Sequence, residues 1–505
     1  MSNNSLILKN SLFLMSRTLI AAFVSLFTIR ELLKVLGAEE YGLFNLIFGV
    51  AILFTFINQA MVVSSQRYLS FYIGKGDNQQ LIEVWNSSFF LHLIIAIILS
   101  LVLIILKDTL LFNFLNINPK LYSSAVFIYF GAITNIFITV IQSPFNALVL
   151  AKEDMSFYAW ISLAKAFLSL IIVYSLSFTL TEKINTYTVL YVLTTLAIFV
   201  VYIAFCHRKY RLAINSNFLK KDLTKEMFFY SSWNIYGDFA NVAKSQGINV
   251  VLNMFFGLAI NAAYAITNNV VSTIGGLLSS VVTAIRPQIY KSYAAGDTRR
   301  NNELLSYGSK YNFLFSLFLI SPFLINVEFV INLWLTEVPP YTINFIKLAL
   351  ITTIINSLSG VLMSGIQATG KIKTYQIVVG FIVFMNLPAS FILLKIYHDP
   401  TIPFLVAIIS AIISLYLRLI FLKKSVGYSL YDFHMMVIKP VALVTISVIP
   451  LYLLISHYIY TSNIYIDFFI KCSATSMLNI IVIYLIGLET KERKKLLNII
   501  LRIKK

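Results

Sequence analysis

Five polar side chains recur between residues 234 and 249 at steps of four, three, four and four: Asn234, Asp238, Asn241, Ser245 and Asn249. On an α-helix this spacing places them on one face. Trp233, Gly237 and Lys244 border that face. In lipid such a stripe is costly, so it is expected to face protein or a watery cavity. Asn269, with Ser272, Gly276, Ser279 and Thr283, continues the pattern further on, and Asn45, Thr55, Asn58 and Gln59 repeat it near the start. Arg17 stands inside an apolar run, where a guanidinium is costly and offers a fork of donors suited to phosphate. Lys165 and Lys244 are further cations in apolar surroundings. Asp238 lies six residues before Lys244 and is not an i,i+4 partner, so three roles stay open for it: a partner for Arg17, a carrier of a coupling proton, or a ligand for Na⁺. The competing reading of the whole pattern is interhelical hydrogen bonding, small-residue packing and structural ion pairs.

Catalytic patterns are not found. His92, His207, His398, His434 and His457 lack ligand spacing, and no P-loop, GxSxG or HExxH stretch occurs. Cys206 and Cys472 sit in or beside apolar runs and are expected to be packing residues. The expectation is a chain that is not an enzyme and holds no metal or cofactor.

The elements that must position these residues are apolar. About fourteen stretches of ~20 residues run from Leu6 to Leu488, each long enough to cross a hydrocarbon core of about 30 Å as a helix. Of the 505 residues 59% are hydrophobic and 12% charged, with mean hydropathy +0.83, about half the charge of a soluble chain. The expected helices are 6–36, 41–65, 84–106, 121–150, 156–180, 186–206, 227–256, 260–285, 311–335, 342–368, 374–396, 402–422, 435–457 and 464–488. The formal charge of +18 suggests nucleic acid until it is located. With the N-terminus inside, most Lys and Arg fall in cytoplasmic segments, as the positive-inside rule requires. The basicity is therefore topological, and nucleic acid is not an expected partner. The first apolar run is too long for a cleaved leader and is expected to act as an uncleaved signal anchor. These features make the expectation a multi-pass membrane protein with both termini cytoplasmic.

The polar stretch 207–226 separates six helices from eight, and the chain repeats across it. Gly37 and Gly76-Asp77 in the first part answer to Gly257 and Gly296-Asp297 in the second, 220 positions on. SSQRYLSFYIGKGD likewise resembles AIRPQIYKSYAAGD; chance similarity between membrane segments is the alternative. The expected organisation is an N-terminal lobe (1–206), a basic inter-lobe loop (207–226), a C-terminal lobe (227–425), an extra helix pair (426–488) and a basic cytoplasmic tail (489–505). Six helices before the loop imply the same starting orientation for both lobes, hence a parallel pseudo-two-fold repeat. The polar faces of helices one, two, seven and eight would then line a hydrated cleft.

The segment IRELLKVLGAEEYGLFNLIFGV, Ile29 to Val50, resembles the N-terminal signature of the Wzx-type polysaccharide flippases, and SSQRYLSFYIGKGD resembles the end of their second helix. The match is specific over about residues 8–80. Helix count, repeat and final pair are similar to those of the larger multidrug/oligosaccharidyl-lipid/polysaccharide (MOP) exporter superfamily, which implies a MATE-like all-α fold. The resemblance implies that undecaprenyl-pyrophosphate-linked oligosaccharide moves from the inner to the outer leaflet by alternating access. It assigns Arg30, Gly37, Tyr41 and Gly42 to an outer-turn motif that shapes the turn. Cationic cleft residues of some members would correspond to Arg17, Lys165 and Lys244, with Asn234, Asn241, Asn269, Trp233 and Tyr236 facing the sugars. Implied partners are the lipid-linked oligosaccharide, the bilayer, a polysaccharide polymerase with its chain-length machinery, and H⁺ or Na⁺. Rival readings are a lipid II flippase or cation-coupled drug exporter on the same fold, a membrane polysaccharide polymerase or ligase, and a membrane scaffold.

Overall fold

The computed structural model describes residues 3–52, 55–114, 121–178, 182–212, 214–256, 258–335, 338–459 and 463–494. All regular structure among them is helical: α1 (Asn3–Ile52), α2 (Thr55–Lys75), α3 (Asn78–Ile105), α4 (Tyr122–Ala151), α5 (Met155–Ser175), α6 (Lys183–Tyr210), α7 (Lys221–Phe256), α8 (Leu258–Ala294), α9 (Thr298–Ile325), α10 (Val327–Trp334), α11 (Thr342–Ala368), α12 (Lys373–Tyr397), α13 (Ile402–Val426), α14 (Leu430–Phe433), α15 (Lys439–Tyr458) and α16 (Ile464–Val482). Helices are the natural outcome, since a membrane supplies no water to satisfy a bare backbone. Eleven helices among the described residues are long and apolar enough to cross a membrane, and a shorter apolar stretch, Asn10–Ser25, lies within α1. This is a multi-pass membrane protein.

Two backbone devices set the helix ends. At Gly37 (φ 77°, ψ 170°) the long α1 is interrupted, in a region of conformational space open essentially to glycine alone. The first arm of α1 corresponds to the helix expected at 6–36, whereas the helix expected at 41–65 is divided between the second arm, which ends at Ile52, and α2, which starts at Thr55. Arg30, Tyr41 and Gly42 stand in helical backbone, but their side chains lie outside the described residues, as does Gly257. The second device is the Gly-Asp turn. Gly76 and Gly296 both take φ +71°. Asp77 Oδ1 then accepts from the Gln80 backbone N–H at 3.0 Å and Asp297 Oδ1 from that of Arg300 at 2.9 Å, capping α3 and α9.

The repeat is thus visible in geometry as well as in letters. Helices α3 and α9 are both 28 residues long and start 220 positions apart. Each also holds the segment that follows the sixth helix of its own half. Asn86 Oδ1 accepts from the Asn215 backbone N–H at 2.7 Å, and 220 positions on Ser306 Oγ lies 2.5 Å from the Tyr428 hydroxyl.

The chain divides into two compact units, 1–239 with 290–296 and 240–289 with 297–505. The boundary cuts α7 and α8, so each of these helices has one end in each unit. In the first unit Phe44 and Ile47 of α1 pack with Leu99 and Leu103 of α3, Ile128 and Ala132 of α4 and Tyr187 of α6. Helices α4 and α6 approach closely at Gly131, where an added Cβ would stand 2.4 Å from Thr188 Cγ2. In the second unit α11 meets α9 at Gly308, and meets α9 and α13 at Gly365. Small residues let membrane helices pack at short range, where van der Waals contact replaces the missing hydrophobic drive.

The last helix pair is fastened to α9 in the second unit by a buried polar triad. Asn479 Nδ2 donates to Ser321 Oγ at 2.7 Å, the Tyr452 hydroxyl reaches the same oxygen at 3.0 Å, and Tyr452 also donates to Asn479 Oδ1. Interhelical hydrogen bonds of this kind contribute about 0.6–2 kcal/mol each. Asn479→Leu, which cuts two of the three contacts, is expected to lower the apparent melting temperature in detergent. Tyr452→Phe in that background should add little, because the triad is already broken; a fully additive loss would show that the contacts act independently.

Candidate functional site

Arg17 lies on the first arm of α1, which packs along α5. Its Nη1 donates to Ser162 Oγ at 3.4 Å, its Nη2 to Thr18 Oγ1 at 3.3 Å, and its Cζ stands 4.9 Å from the centre of the Tyr158 ring. Both hydrogen bonds are at the long limit for such contacts. The Nε is buried and has no hydrogen-bond partner among the described residues. A half-buried guanidinium in an apolar span therefore keeps donor capacity that the protein does not use. An anion is the natural complement.

Lys165 is on the same face of α5: Tyr158, Ser162 and Lys165 follow at four and three residues. Its Nζ is 6.0 Å from the Tyr191 ring of α6. Phe44 and Phe48 meet Tyr191 edge-on at 5.9 and 5.4 Å, so an aromatic wall stands behind this lysine. None of the ion pairs among the described residues involves Arg17, Lys165 or Lys244. The partners of Arg17 and Lys165 on α5 and α6 were not singled out from the sequence. The spacing of 158, 162 and 165 was a usable signal, but only once α1 is known to lie on α5.

The polar face of α7 is divided between the units. In the first, Asn234 is buried and its Nδ2 donates to the Tyr230 carbonyl at 3.3 Å. Trp233 and Tyr236 are neighbours, with ring centres 6.4 Å apart, and Tyr236 is exposed. Asp238 is half-buried and has interactions of its own, so it is not an isolated carboxylate. In the second unit Asn241 is exposed and engaged, whereas Lys244 is half-buried with no hydrogen bond among the described residues. Asn249 Oδ1 accepts from Asn261 Nδ2 at 3.0 Å and the Ser245 carbonyl from the Tyr264 hydroxyl at 3.1 Å. That end of the stripe is interhelical hydrogen bonding between α7 and α8. Asn269 is exposed; its carbonyl accepts from Ser272 and Thr273 at 3.0 and 2.9 Å, and its side-chain amide has no partner among the described residues.

Arg17, Lys165, Trp233, Asn234, Tyr236 and Asp238 thus belong to the first unit, and Asn241, Lys244 and Asn269 to the second. Arg17 and Lys165 in the first unit and Lys244 in the second are cations that make no ion pair among the described residues. Among the described residues no group of three or more His, Cys, Asp or Glu could hold a metal ion.

A family model described as polysaccharide biosynthesis protein matches residues 7–293. No curated protein matches the sequence. Among solved structures, an outward-facing multidrug resistance MATE family transporter of the MOP superfamily is similar at TM-score 0.75 and 13% identity, over 85% of this chain and 96% of that one. A MATE bound to MaL6 gives TM-score 0.74 and 12% identity, over 85% and 97%. A Pyrococcus furiosus MOP superfamily transporter, described by a reverse polarity of its binding pocket that suggests a different function, gives 0.74 and 12%, over 85% and 96%. At these identities the likeness is one of fold alone, the helical MATE fold.

Proposed function

We propose a function from one premise: this chain belongs to the polysaccharide biosynthesis protein family, whose model covers more than half of it. Family and fold are those of membrane transporters of the MOP superfamily, and the resemblance of its first helices to the Wzx-type flippases agrees with both. The cargo in this reading is an oligosaccharide linked through pyrophosphate to undecaprenol, moved from the inner to the outer leaflet by alternating access for surface polysaccharide synthesis. The observation that carries the choice is Arg17: a cation in a membrane span with two long hydrogen bonds and, among the described residues, no partner for its buried Nε and no carboxylate contact. A cationic drug would find repulsion there. A diphosphate supplies the missing acceptors, with Lys165 on the same face of α5 as a second contact. Trp233, Tyr236, Asn234 and Asn241 are assigned to the sugars, Lys244 and Asn269 to the same cargo from the second unit, and Asp238 to a coupling H⁺ or Na⁺. Inner-membrane location with both termini cytoplasmic follows from the basic bias of the loops. A polymerase and its chain-length machinery are the partners that would take up the product.

The test is discrimination between cargoes. Purified protein in liposomes is given fluorescent polyprenyl-pyrophosphate saccharide, lipid II, or a cationic dye, and transfer between leaflets is followed by dithionite quenching or dye efflux. The expected result is transfer of the pyrophosphate saccharide alone, slowed about tenfold by Lys165→Ala through loss of a charge-assisted contact. Dye efflux without saccharide transfer would replace this reading with drug export. Equal transfer of lipid II would move the cargo to peptidoglycan.

A further inference from the structure

The first unit contains pieces of α7 and α8 that the sequence repeat assigns to the second half. Residues 221–239 and 290–296 cluster with the first six helices, while the remainder of both helices belongs to the other unit. Within the first unit these pieces are held by a defined set of contacts. Lys291 Nζ lies 2.5 Å from Glu153 Oε1, and the two side chains are only 22% and 6% exposed. Glu153 sits in the turn between α4 and α5 at φ +65°, a left-handed conformation that a non-glycine residue rarely takes without a compensating contact. The Tyr68 hydroxyl donates to Glu226 Oε1 at 2.9 Å, and the Tyr68 and Tyr230 rings meet edge-on at 5.6 Å. Arg67 lies against Tyr68, Phe71 and Tyr230 at 4.5, 5.0 and 5.6 Å. Backbone contact completes the set: a Cβ on Gly74 would stand 2.7 Å from Lys291 Cα.

We infer that these contacts form an inner-face latch, which fastens the ends of α7 and α8 to α2 and the α4–α5 turn and must release before cargo can enter from the cytoplasm. The inference rests on the transport reading and on the basic-side orientation proposed above. All the residues involved fall at one end of the helices: the close of α2, the close of α4, the opening of α7 and the close of α8. A latch made of one ion pair, one charged hydrogen bond and an aromatic cluster can be broken without unfolding either helix. The turn also carries its own counter-charge. Burial, and then the nearby Lys291 ammonium, hold Lys152 below the usual lysine range. Asp154 is taken by Lys209 and Tyr210. Lys291 is therefore left with Glu153 as its partner.

Accessibility of Ser70, which is fully buried on α2 between Arg67 and Gly74, reports the latch. Ser70→Cys is placed in a full-length chain carrying Cys206→Ser and Cys472→Ser, in inside-out vesicles treated with a membrane-impermeant maleimide. Ser316→Cys, fully buried in the second unit, is the reference for general loosening. Glu153→Gln, Lys291→Gln and Gly74→Ala are each expected to speed labelling at position 70 about tenfold with position 316 unchanged. The exchange Glu153→Lys with Lys291→Glu should bring the rate back to within about twofold of the parent. Unchanged labelling in the three single variants, or an equal rise at both positions, would overturn the latch. No cargo is used, so failure of the saccharide assay leaves this result untouched, and failure here leaves the choice of cargo standing.

Discussion

Arg17→Ala is expected to abolish export of surface glycan in cells while protein abundance in the membrane stays normal. The side chain makes two long hydrogen bonds and one ring contact, and no ion pair among the described residues, so its loss orphans no charge among them. On the proposed reading the loss is of a charge-assisted contact to a desolvated anion, worth about 2–5 kcal/mol, or roughly 30-fold to several-thousandfold in transport. Arg17→Lys keeps the charge but not the planar fork and should fall between the two, at about one tenth of parent activity. Export assays with blotting for abundance decide the matter. Wild-type export in Arg17→Ala would remove the cation from the mechanism, and a parallel loss of protein would make its role structural.

The second large effect is on stability. Lys310 on α9 is fully buried and its Nζ lies 2.7 Å from Glu492 Oε2, with the Glu492 side chain only 7% exposed. The Tyr311 hydroxyl donates to the other carboxylate oxygen at 2.5 Å, and the Glu489 backbone N–H donates to Oε2 at 2.6 Å. Arg493 ties the same segment to the Leu488 and Leu485 carbonyls at 2.9 and 2.6 Å. Lys310→Met leaves a carboxylate buried without its cation, a loss of about 3–5 kcal/mol. The double variant Lys310→Met/Glu492→Leu removes both charges and should recover most of that loss, because a buried ion pair contributes little against an apolar pair of similar volume. Thermal unfolding in detergent measures both. A double variant no better than Lys310→Met alone would mean that Glu492 acts through Tyr311 and the backbone rather than through the ion pair.

The apolar stretches, the Gly-Asp turns and the repeat were legible because each is written in local pattern: run length, a glycine before an aspartate, a fixed offset. Lys310 and Glu492 were not legible. Their partnership spans 182 positions, and a helix expected to begin at 311 leaves the lysine outside its span, whereas Asp297 caps α9 from Thr298. The same limit applied to the candidate site. Arg17 stands out by its cost in an apolar run, but Ser162, Tyr158 and Tyr191 are ordinary membrane residues until α1 is laid on α5. The stripe on α7 illustrates the converse. Its period puts polar residues on one face of α7, yet period alone does not distinguish Asn249, which is bonded to Asn261, from Lys244, which has no hydrogen bond among the described residues.

The most direct measurement is photolabelling with a polyprenyl-pyrophosphate saccharide that carries its reactive group beside the diphosphate. Adducts are expected on α1 around Arg17 and on α5 between Tyr158 and Lys165, lost in Arg17→Ala and suppressed by unlabelled diphosphate lipid. Adducts confined to other helices, or labelling indifferent to Arg17, would contradict that expectation.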